Sequence, residues 1–333
     1  MRLGAFPLLI SLLLVSFFSS LILGSIRYPV YTILMHVLGL DHDFSLLNVI
    51  VDIRLVRTVA AVLTGASLGV AGCILQSLFR NPLADPFVLG ISSGSTLVIA
   101  VALVLGTGFG IMQAYDPYSL YIAGSLGALL TSLVVIGLSS VTRTAIGLVL
   151  AGVVLGYLNA GVTTLIITMS DVETMRAFSF WTLGSFSAAK KNIVEPVLPF
   201  MLAGFVASFL AAKPLNALAF GEEIASSMGV WIRGARVLAV AASSSVVAAA
   251  TVIAGPVGFI GLAAPHIARL TAKTVDNRFI IPLSGLAGST LAVTSDIIAR
   301  NIVAPLDLPI TAITSIFGAP IVLFLLMRRG LLR

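Results

Sequence analysis

The stretch RTVAAVLTGASLGVAGCILQSLF, residues 57–79, is long and apolar enough to cross a lipid bilayer as a single helix. Within it, Gly65, Gly69 and Gly72 follow one another at helical spacing and therefore share one face of that helix. Small residues let helix backbones approach closely where lipid offers no hydrophobic drive for association. The stretch predicts a membrane-spanning helix that packs tightly against its neighbours.

The composition of the whole chain agrees with a membrane protein. Of its 333 residues, 59% are hydrophobic and only 10% are charged, whereas soluble domains carry about 25% charged residues. The net charge of +6 is attributed to basic residues in cytoplasmic loops rather than to nucleic-acid binding. The single cysteine, Cys73, excludes an intrachain disulfide and a multi-cysteine metal site.

Ten apolar segments are predicted to span the membrane, and residues 1–333 are expected to form one all-α transmembrane domain. The first segment is longer than the usual core of a signal peptide, about 7–15 residues, and is therefore predicted to be a retained helix. A break at Gly255–Pro256 is predicted to separate the seventh and eighth segments. The ten segments are 5–26, 57–79, 93–113, 119–139, 145–169, 193–212, 236–254, 257–273, 280–299 and 309–327.

The basic residues predict the topology. With both termini in the cytoplasm, twelve lysines and arginines fall on the inner side and seven on the outer side, which is the direction of the positive-inside rule. The longest inner loop is then 213–235.

This loop contains GEEIASSMGV, residues 221–230, which predicts a short helix. Glu222 and Glu223 suit its first turn, where the helix dipole favours negative charge, and Gly229 suits its C-terminal stop. Ile224, Ala225 and Met228 are predicted to share an apolar face. That face could dock in a groove of another protein, or it could rest on lipid headgroups.

Motifs for catalysis are absent from the sequence. None of the four lysines lies in a Walker A phosphate loop, no histidine pair forms H-E-x-x-H, and no serine lies in G-x-S-x-G. We expect no catalytic residues, no bound metal and no cofactor. If the protein transports a solute against its gradient with ATP, a second polypeptide must hydrolyse the ATP.

Three blocks of the sequence resemble the FecCD permease family, the membrane subunits of ATP-binding-cassette (ABC) importers for iron–siderophore complexes, haem and cobalamin. The blocks are IRLVRTVAAVLTGASLGVAGCILQSLFRNPLADPFVLGISSG (53–94), LNALAFGEEIASSMGV (215–230) and AGPVGFIGLAAPHIARL (254–270). The resemblance implies a type II importer permease fold in the cytoplasmic membrane. It also implies a homodimer, an ATPase dimer beneath it and an extracytoplasmic substrate-binding protein.

The resemblance also assigns residues. It implies that loop 213–235 forms two short helices that fit the ATPase. It implies that external arginines, here Arg54, Arg57 and Arg300, pair with acids of the binding protein. For these arginines, lipid-phosphate anchoring and an internal Asp296–Arg300 pair are the alternatives. The residues expected to couple to the ATPase are Leu215, Gly221, Glu222, Glu223, Ala225, Met228 and Gly229.

The translocation path is assigned from the same resemblance. Thr142 and Thr144, in segment 139–147, match the inner gate, although Ala145 and Ile146 depart from the family's hydroxylated run. Phe178 and Trp181 could contact substrate or could anchor the protein at the membrane interface. Asn159 could line the path or form an interhelical hydrogen bond.

The expected function is import of a metal chelate, either a ferric chelate or a corrinoid, by alternating access. An ion-driven secondary transporter is the alternative. It would need paired ionisable groups within the membrane, for which Glu195 and Asp296 are the candidates.

Overall fold

The computed structural model describes residues 4–24, 46–108, 117–142, 144–187, 189–304 and 306–329, and these residues contain helices but no β-strand. A short 3-10 helix, Pro86–Leu89, precedes α3. The α-helices are α1 (Ala5–Ile22), α2 (Leu46–Leu78), α3 (Ile91–Gly108), α4 (Pro117–Val141), α5 (Ala145–Thr168), α6 (Val172–Thr182), α7 (Lys191–Leu218), α8 (Glu222–Ser227), α9 (Ile232–Ala254), α10 (Ile260–Ala272), α11 (Asn277–Asn301) and α12 (Ile310–Arg329).

The predicted all-helical membrane fold is confirmed. Seven of the described helices (α1, α2, α4, α5, α7, α9 and α11) are long and apolar enough to cross a membrane, and α3 and α12 contribute shorter apolar segments. These nine match nine of the ten predicted spans. The ends of the first and third predicted spans, residues 25–26 and 109–113, lie outside the described residues.

The eighth predicted span, 257–273, is shorter than expected. Helix α10 has 13 residues, which corresponds to a length of about 20 Å against a hydrocarbon core of about 30 Å. The break at Gly255–Pro256 is confirmed, since α9 ends at Ala254 and Gly255 has a φ of +70°. The non-helical residues after the break are tolerated because they lie within the protein, with Val257 buried.

Two helices extend beyond their predicted spans. Helix α2 begins at Leu46 rather than at residue 57, so that it carries Arg54 and Arg57 on its first turns. Helix α7 continues to Leu218 and passes through Pro214. In both cases polar residues interrupt the apolar pattern without ending the helix.

The long helices α2 and α11 form an antiparallel pair at the centre of the protein. At one end Arg57 pairs with Asp296, and at the other end the Ser77 hydroxyl donates to Asn277 Oδ1 at 2.8 Å. Helix α2 also contacts α1, α7, α9 and α10. We call the first end the arginine end and the second the coupling end.

The predicted glycine face of α2 lies in this central contact. A Cβ at Gly65 would overlap the Gly288 carbonyl, and one at Gly69 would overlap the Ser284 carbonyl, both on α11. A Cβ at Gly72 would overlap Gly261 of α10. The glycines therefore bring the backbones of three helices into direct contact, as the small-residue spacing predicted.

The importance of this close approach can be tested with Gly69→Ala. The added methyl group would meet backbone atoms that cannot rotate away, and such overpacking typically costs about 1–3 kcal/mol. We expect a lower apparent melting temperature of the detergent-solubilised protein. Gly137→Ala on α4 is the matched control, because no atom of the described residues beyond the local backbone of α4 lies within 4 Å of the position that its Cβ would take. An equal fall in both variants would contradict the packing argument.

Candidate functional site

The short helix α8 at the coupling end has the termini that the sequence predicted. Glu222 and Glu223 occupy its first turn. At its C-terminus Gly229 has a φ of +83°, and its N–H donates to the Ser226 carbonyl while the Val230 N–H donates to the Ala225 carbonyl. This pair of hydrogen bonds is a Schellman motif, which stops the helix and satisfies its last carbonyls.

The exposed face of α8 differs from the predicted one. Ala225 is completely buried, so it belongs to the inner face rather than to the docking face. Ile224 and Met228 are exposed, and the flanking Phe220 and Trp231 are 69% and 76% exposed. These four apolar side chains form what we call the coupling patch. Sequence reasoning missed Phe220 and Trp231, although two large aromatic residues that bracket a polar segment are a recognisable signal.

The first of the two short helices implied by the family resemblance is absent as a separate element. The segment that should contain it is the last part of α7, where Leu215 is fully buried. A turn follows, in which Gly221 has a φ of +112° that favours glycine. Loop 213–235 is therefore a helix end, a turn, α8 and the start of α9.

The end of α7 is tied to the start of α11. The Asn216 side-chain amide donates to Asp276 Oδ1 at 2.6 Å, and its oxygen accepts the Asn277 N–H at 2.8 Å. Asp276 is also bonded by the Arg278 guanidinium, which together with Asn216 lowers the pKa of Asp276 to about 2. The carboxylate is thus ionised at physiological pH and caps α11.

Arg236, near the start of α9, joins α8 to the turn between α4 and α5. Its Nη2 donates to Glu222 Oε1 at 2.9 Å, and its Nη1 donates to the Thr142 carbonyl oxygen at 2.7 Å. The side chain of Arg236 is 5% exposed. A buried guanidinium therefore connects two segments that the sequence assigned to separate roles.

The turn itself contains both predicted gate residues. The Thr142 hydroxyl donates to the Leu138 carbonyl at 2.7 Å, and Thr144 caps α5 by accepting the Gly147 N–H at 3.1 Å. Arg143 between them lies outside the described residues. Both threonine side chains thus bond to the backbone of their own segment.

The other predicted path residues pack within the protein. The Asn159 amide donates to the Ser93 hydroxyl at 3.2 Å. This is an interhelical hydrogen bond, one of the two roles that the sequence allowed for Asn159. Phe178 and Trp181 pack against a buried apolar cluster between α3, α4 and α6. Phe180 is exposed instead, with the Arg176 guanidinium 5.7 Å from its ring centroid.

The three predicted docking arginines converge at the arginine end. Arg57 bonds Asp296 and Asp307, each at 2.9 Å. The Nε of Arg300 lies 3.6 Å from the second oxygen of Asp296, and its Nη2 bonds the Ser20 carbonyl at 2.5 Å. Arg54 Nη1 bonds the Leu21 carbonyl at 3.0 Å. We call Arg54, Arg57, Arg300, Asp296 and Asp307 the arginine cluster.

The arginine cluster is largely internal. Arg54 and Arg300 are 6% and 8% exposed, and Asp296 is fully buried. The Asp296–Arg300 pair that the sequence suggested as an alternative to docking is therefore present. The carboxylates of Asp296 and Asp307 offset part of the positive charge of the arginines, so the external field is weaker than three free arginines would produce.

The described residues contain no group of three or more His, Cys, Asp or Glu side chains placed to hold a metal ion. The candidate site thus has two parts at opposite ends of the bundle, the arginine cluster at one end and the coupling patch with the Arg236 bridge at the other.

Comparison with known proteins relates the chain to a family. The profile of the FecCD transport family matches residues 12–328. The hemin transport permease HmuU of Yersinia pestis is 35% identical over 84% of this chain and 83% of its own length. The vitamin B12 import permease BtuC of Escherichia coli O6:H1 is 34% identical with the same coverage. The ABC transporter permease YvrB of Bacillus subtilis is 33% identical over 98% of this chain and 94% of its own.

A solved structure has the same fold. An inward-facing metal-chelate type ABC transporter superposes with a TM-score of 0.83 and 26% sequence identity, covering 98% of this chain and 99% of the other. The type II importer permease fold that the resemblance implied is thereby confirmed.

The arginine cluster generates a prediction about stability. Asp296→Asn would leave Arg57 and Arg300 without their shared buried anion, and breaking a buried pair in this way costs about 3–5 kcal/mol. We expect a marked fall in apparent melting temperature. Glu195→Gln is the control, since its pair with Lys191 is exposed and such pairs contribute about 0.3–0.5 kcal/mol. Similar melting temperatures for the two variants would show that the arginine cluster does not stabilise the fold.

Proposed function

This chain belongs to the FecCD transport family, and we propose that it is the permease subunit of a binding-protein-dependent importer in the cytoplasmic membrane. A second copy completes the translocation path, a separate ATPase dimer supplies the energy, and an extracytoplasmic protein delivers the cargo. The chain itself catalyses no reaction. The observation that carries the proposal is the coupling patch, an exposed apolar surface formed by a short helix and the residues on either side of it, with Ala225 of the helix buried against the bundle.

The coupling patch has the properties of a docking surface. Phe220, Ile224, Met228 and Trp231 are all exposed, and large apolar and aromatic side chains provide most of the binding energy at protein interfaces. The buried Ala225 and the ion pair of Glu222 with Arg236 attach α8 to the bundle, so a partner that moves the helix also moves the helices behind it. In the alternative, α8 rests on lipid headgroups, and only Phe220 and Trp231 would need to reach the membrane–water interface.

Docking of the binding protein is proposed at the arginine end. Beside the arginine cluster, exposed side chains of both signs lie at the same end, namely Arg176 and Lys190 with Asp171 and Glu173. Complementary charges on two surfaces steer their encounter and make the association sensitive to salt. We propose that Arg54, Arg57 and Arg300 contribute to this field while they also fasten the bundle.

The path is proposed to run along α5. Much of this helix is exposed in the single chain, including Leu150, Val154 and Tyr157, so that a second copy has an apolar face to meet. Thr142 and Thr144 lie at the coupling end of α5 and are proposed to form the inner gate. Phe178, Trp181 and Asn159 support the helices beside the path at the other end of α5.

The cargo is proposed to be a metal chelate of the haem, corrinoid or ferric-siderophore class. Relatives at 34–35% identity are named for hemin, vitamin B12 and iron(3+)-hydroxamate import. The rival, an ion-driven carrier, loses support from the geometry of its two candidate acids. Asp296 is held between two arginines, and Glu195 is in an exposed pair with Lys191.

The topology predicts which side of the membrane each exposed methionine faces. Met228 should be cytoplasmic and Met169, at the far end of α5, should be external. Cysteines introduced at each position can be labelled with a membrane-impermeant maleimide in right-side-out vesicles, because the native Cys73 is buried. We expect Met169→Cys to react in intact vesicles and Met228→Cys only after permeabilisation. The reverse pattern would invert the topology and overturn the assignment of the coupling patch.

The coupling patch predicts loss of the ATPase when its apolar surface is removed. We expect the unmodified protein, purified from membranes of its native host, to retain a polypeptide with a Walker A motif, detected by mass spectrometry. Met228→Ser combined with Trp231→Ser should reduce that retention, because about 1 kcal/mol or more is lost at each buried interface anchor.

Met169→Ser is the control for this experiment, since Met169 is 87% exposed at the opposite end of the bundle and should leave retention unchanged. An ion-driven carrier needs no ATPase, so failure of the unmodified protein to retain any Walker A polypeptide would contradict the proposed function. Unchanged retention by the double variant would contradict the location of the contact.

A further inference from the structure

The position of Arg236 in the bundle suggests a role that the family membership does not assign. Its guanidinium donates to Glu222 of α8 through one nitrogen and to the Thr142 carbonyl of the α4–α5 turn through the other. Glu222 and Thr142 are 80 residues apart in sequence, and they belong to the proposed coupling and gate segments. Arg236 is a buried group that touches both.

We propose that Arg236 is the positioning residue that passes movement of α8 to the α4–α5 turn. This inference rests on the proposed function, because it assumes that an ATPase moves α8 and that the turn closes the path.

The charge on Arg236 explains why the link would hold during movement. Arginine stays ionised in proteins, and removing one partner of a buried ion pair costs about 3–5 kcal/mol. Helix α8 therefore cannot move away from Arg236 without exposing or isolating that charge. A displacement of Glu222 is expected to carry the guanidinium with it.

The bond to Thr142 passes this displacement to the backbone of the turn. The acceptor is the main-chain carbonyl, so the force acts on the peptide chain itself rather than on a rotatable side chain. Thr142 ends the hydrogen-bonded turn of α4, and Thr144 begins α5 as its N-cap. A shift of the Thr142 carbonyl therefore changes the angle at which α5 leaves the turn.

The packing around Arg236 ties α8 to the helices behind it. Helix α8 contacts α7 and α9, and Ala225 of α8 is buried in the same apolar cluster as Ala235 and Ala239 of α9. Close-packed interiors transmit displacement instead of absorbing it.

Arg278 provides a matched control for Arg236. It is an arginine at the same end of the bundle, and it pairs with Asp276 at 3.0 Å while its own side chain is 53% exposed. Replacing either arginine by methionine removes one positive charge and one ion pair from the coupling end. Only Arg236→Met also removes the bridge between Glu222 and Thr142.

The test follows the turn in the complete permease–ATPase complex. Ile146, in the first turn of α5, is 80% exposed, so an Ile146→Cys reporter can be labelled with N-ethylmaleimide while Cys73 stays protected. The measured quantity is the ratio of labelling rates with and without ATP plus orthovanadate. ATPase retention and size-exclusion profile are recorded for every variant.

We expect the reporter alone and the reporter with Arg278→Met to show an ATP-dependent change in labelling rate. Glu222→Ala and Arg236→Met should lose this change while they retain the ATPase. The double variant, Glu222→Ala with Arg236→Met, should lose no more than either single variant, because both act through one bridge. The double variant also removes both charges, so it remains informative if a single variant fails to fold.

The possible failures give different results. If the double variant folds, retains the ATPase and keeps the ATP-dependent change, the role of Arg236 is refuted while the proposed function stands. If the reporter alone retains the ATPase but shows no ATP-dependent change, the turn does not move, and the role of Arg236 is again refuted while the proposed function stands. If the reporter alone retains no ATPase, the proposed function is refuted, and the inference about Arg236 is refuted with it.

Discussion

The close contact between α2 and α11 is the constraint on which the other features of the structure depend. Lipid gives apolar helices no hydrophobic reason to associate, so the pair must be held by backbone contact and by polar bonds. Gly65 and Gly69 allow the backbones to touch. Bonds at the two ends, Arg57 to Asp296 and Ser77 to Asn277, set the register along the whole thickness of the bundle.

This central pair gives the two ends of the protein different properties. The arginine end is held together by charged side chains. Arg54 bonds Leu21 of α1, and Arg57 bonds Asp307 in the loop between α11 and α12. The coupling end is held by amide side chains such as Asn216 and by two ion pairs in which one partner is partly or largely exposed, Arg236 with Glu222 and Arg278 with Asp276. Exposed ion pairs contribute less than buried ones, so relative movement of helices is energetically easier at the coupling end.

The sequence predicted the helices well because their signal is local. Apolar length identified nine spans, and glycine spacing identified the packing face of α2. The stop of α8 at Gly229 was predicted because a Schellman motif depends on adjacent residues. The shortness of α10 was missed because the segment before it stays apolar although it is not helical, and that segment is surrounded by protein rather than by lipid.

The polar partners could not be predicted in the same way because they are distant in sequence. Arg57 and Asp307 are 250 residues apart, so the arginines looked like free external charges until the fold brought the acids beside them. Ala225 was assigned to the exposed face because helical spacing does not say which face meets the bundle. The sequence therefore singles out candidate site residues, whereas the partners of their side chains are known only from the tertiary structure.

A charged group is better suited than an apolar contact to pass movement from α8 to the α4–α5 turn. An apolar contact between α8 and the α4–α5 turn could slide, since it has no directional preference and loses little energy on a small shift. A buried guanidinium bonded at 2.9 Å to one segment and at 2.7 Å to the other loses far more when either bond is broken. The bridge can therefore hold α8 and the turn together while the bundle around them changes shape.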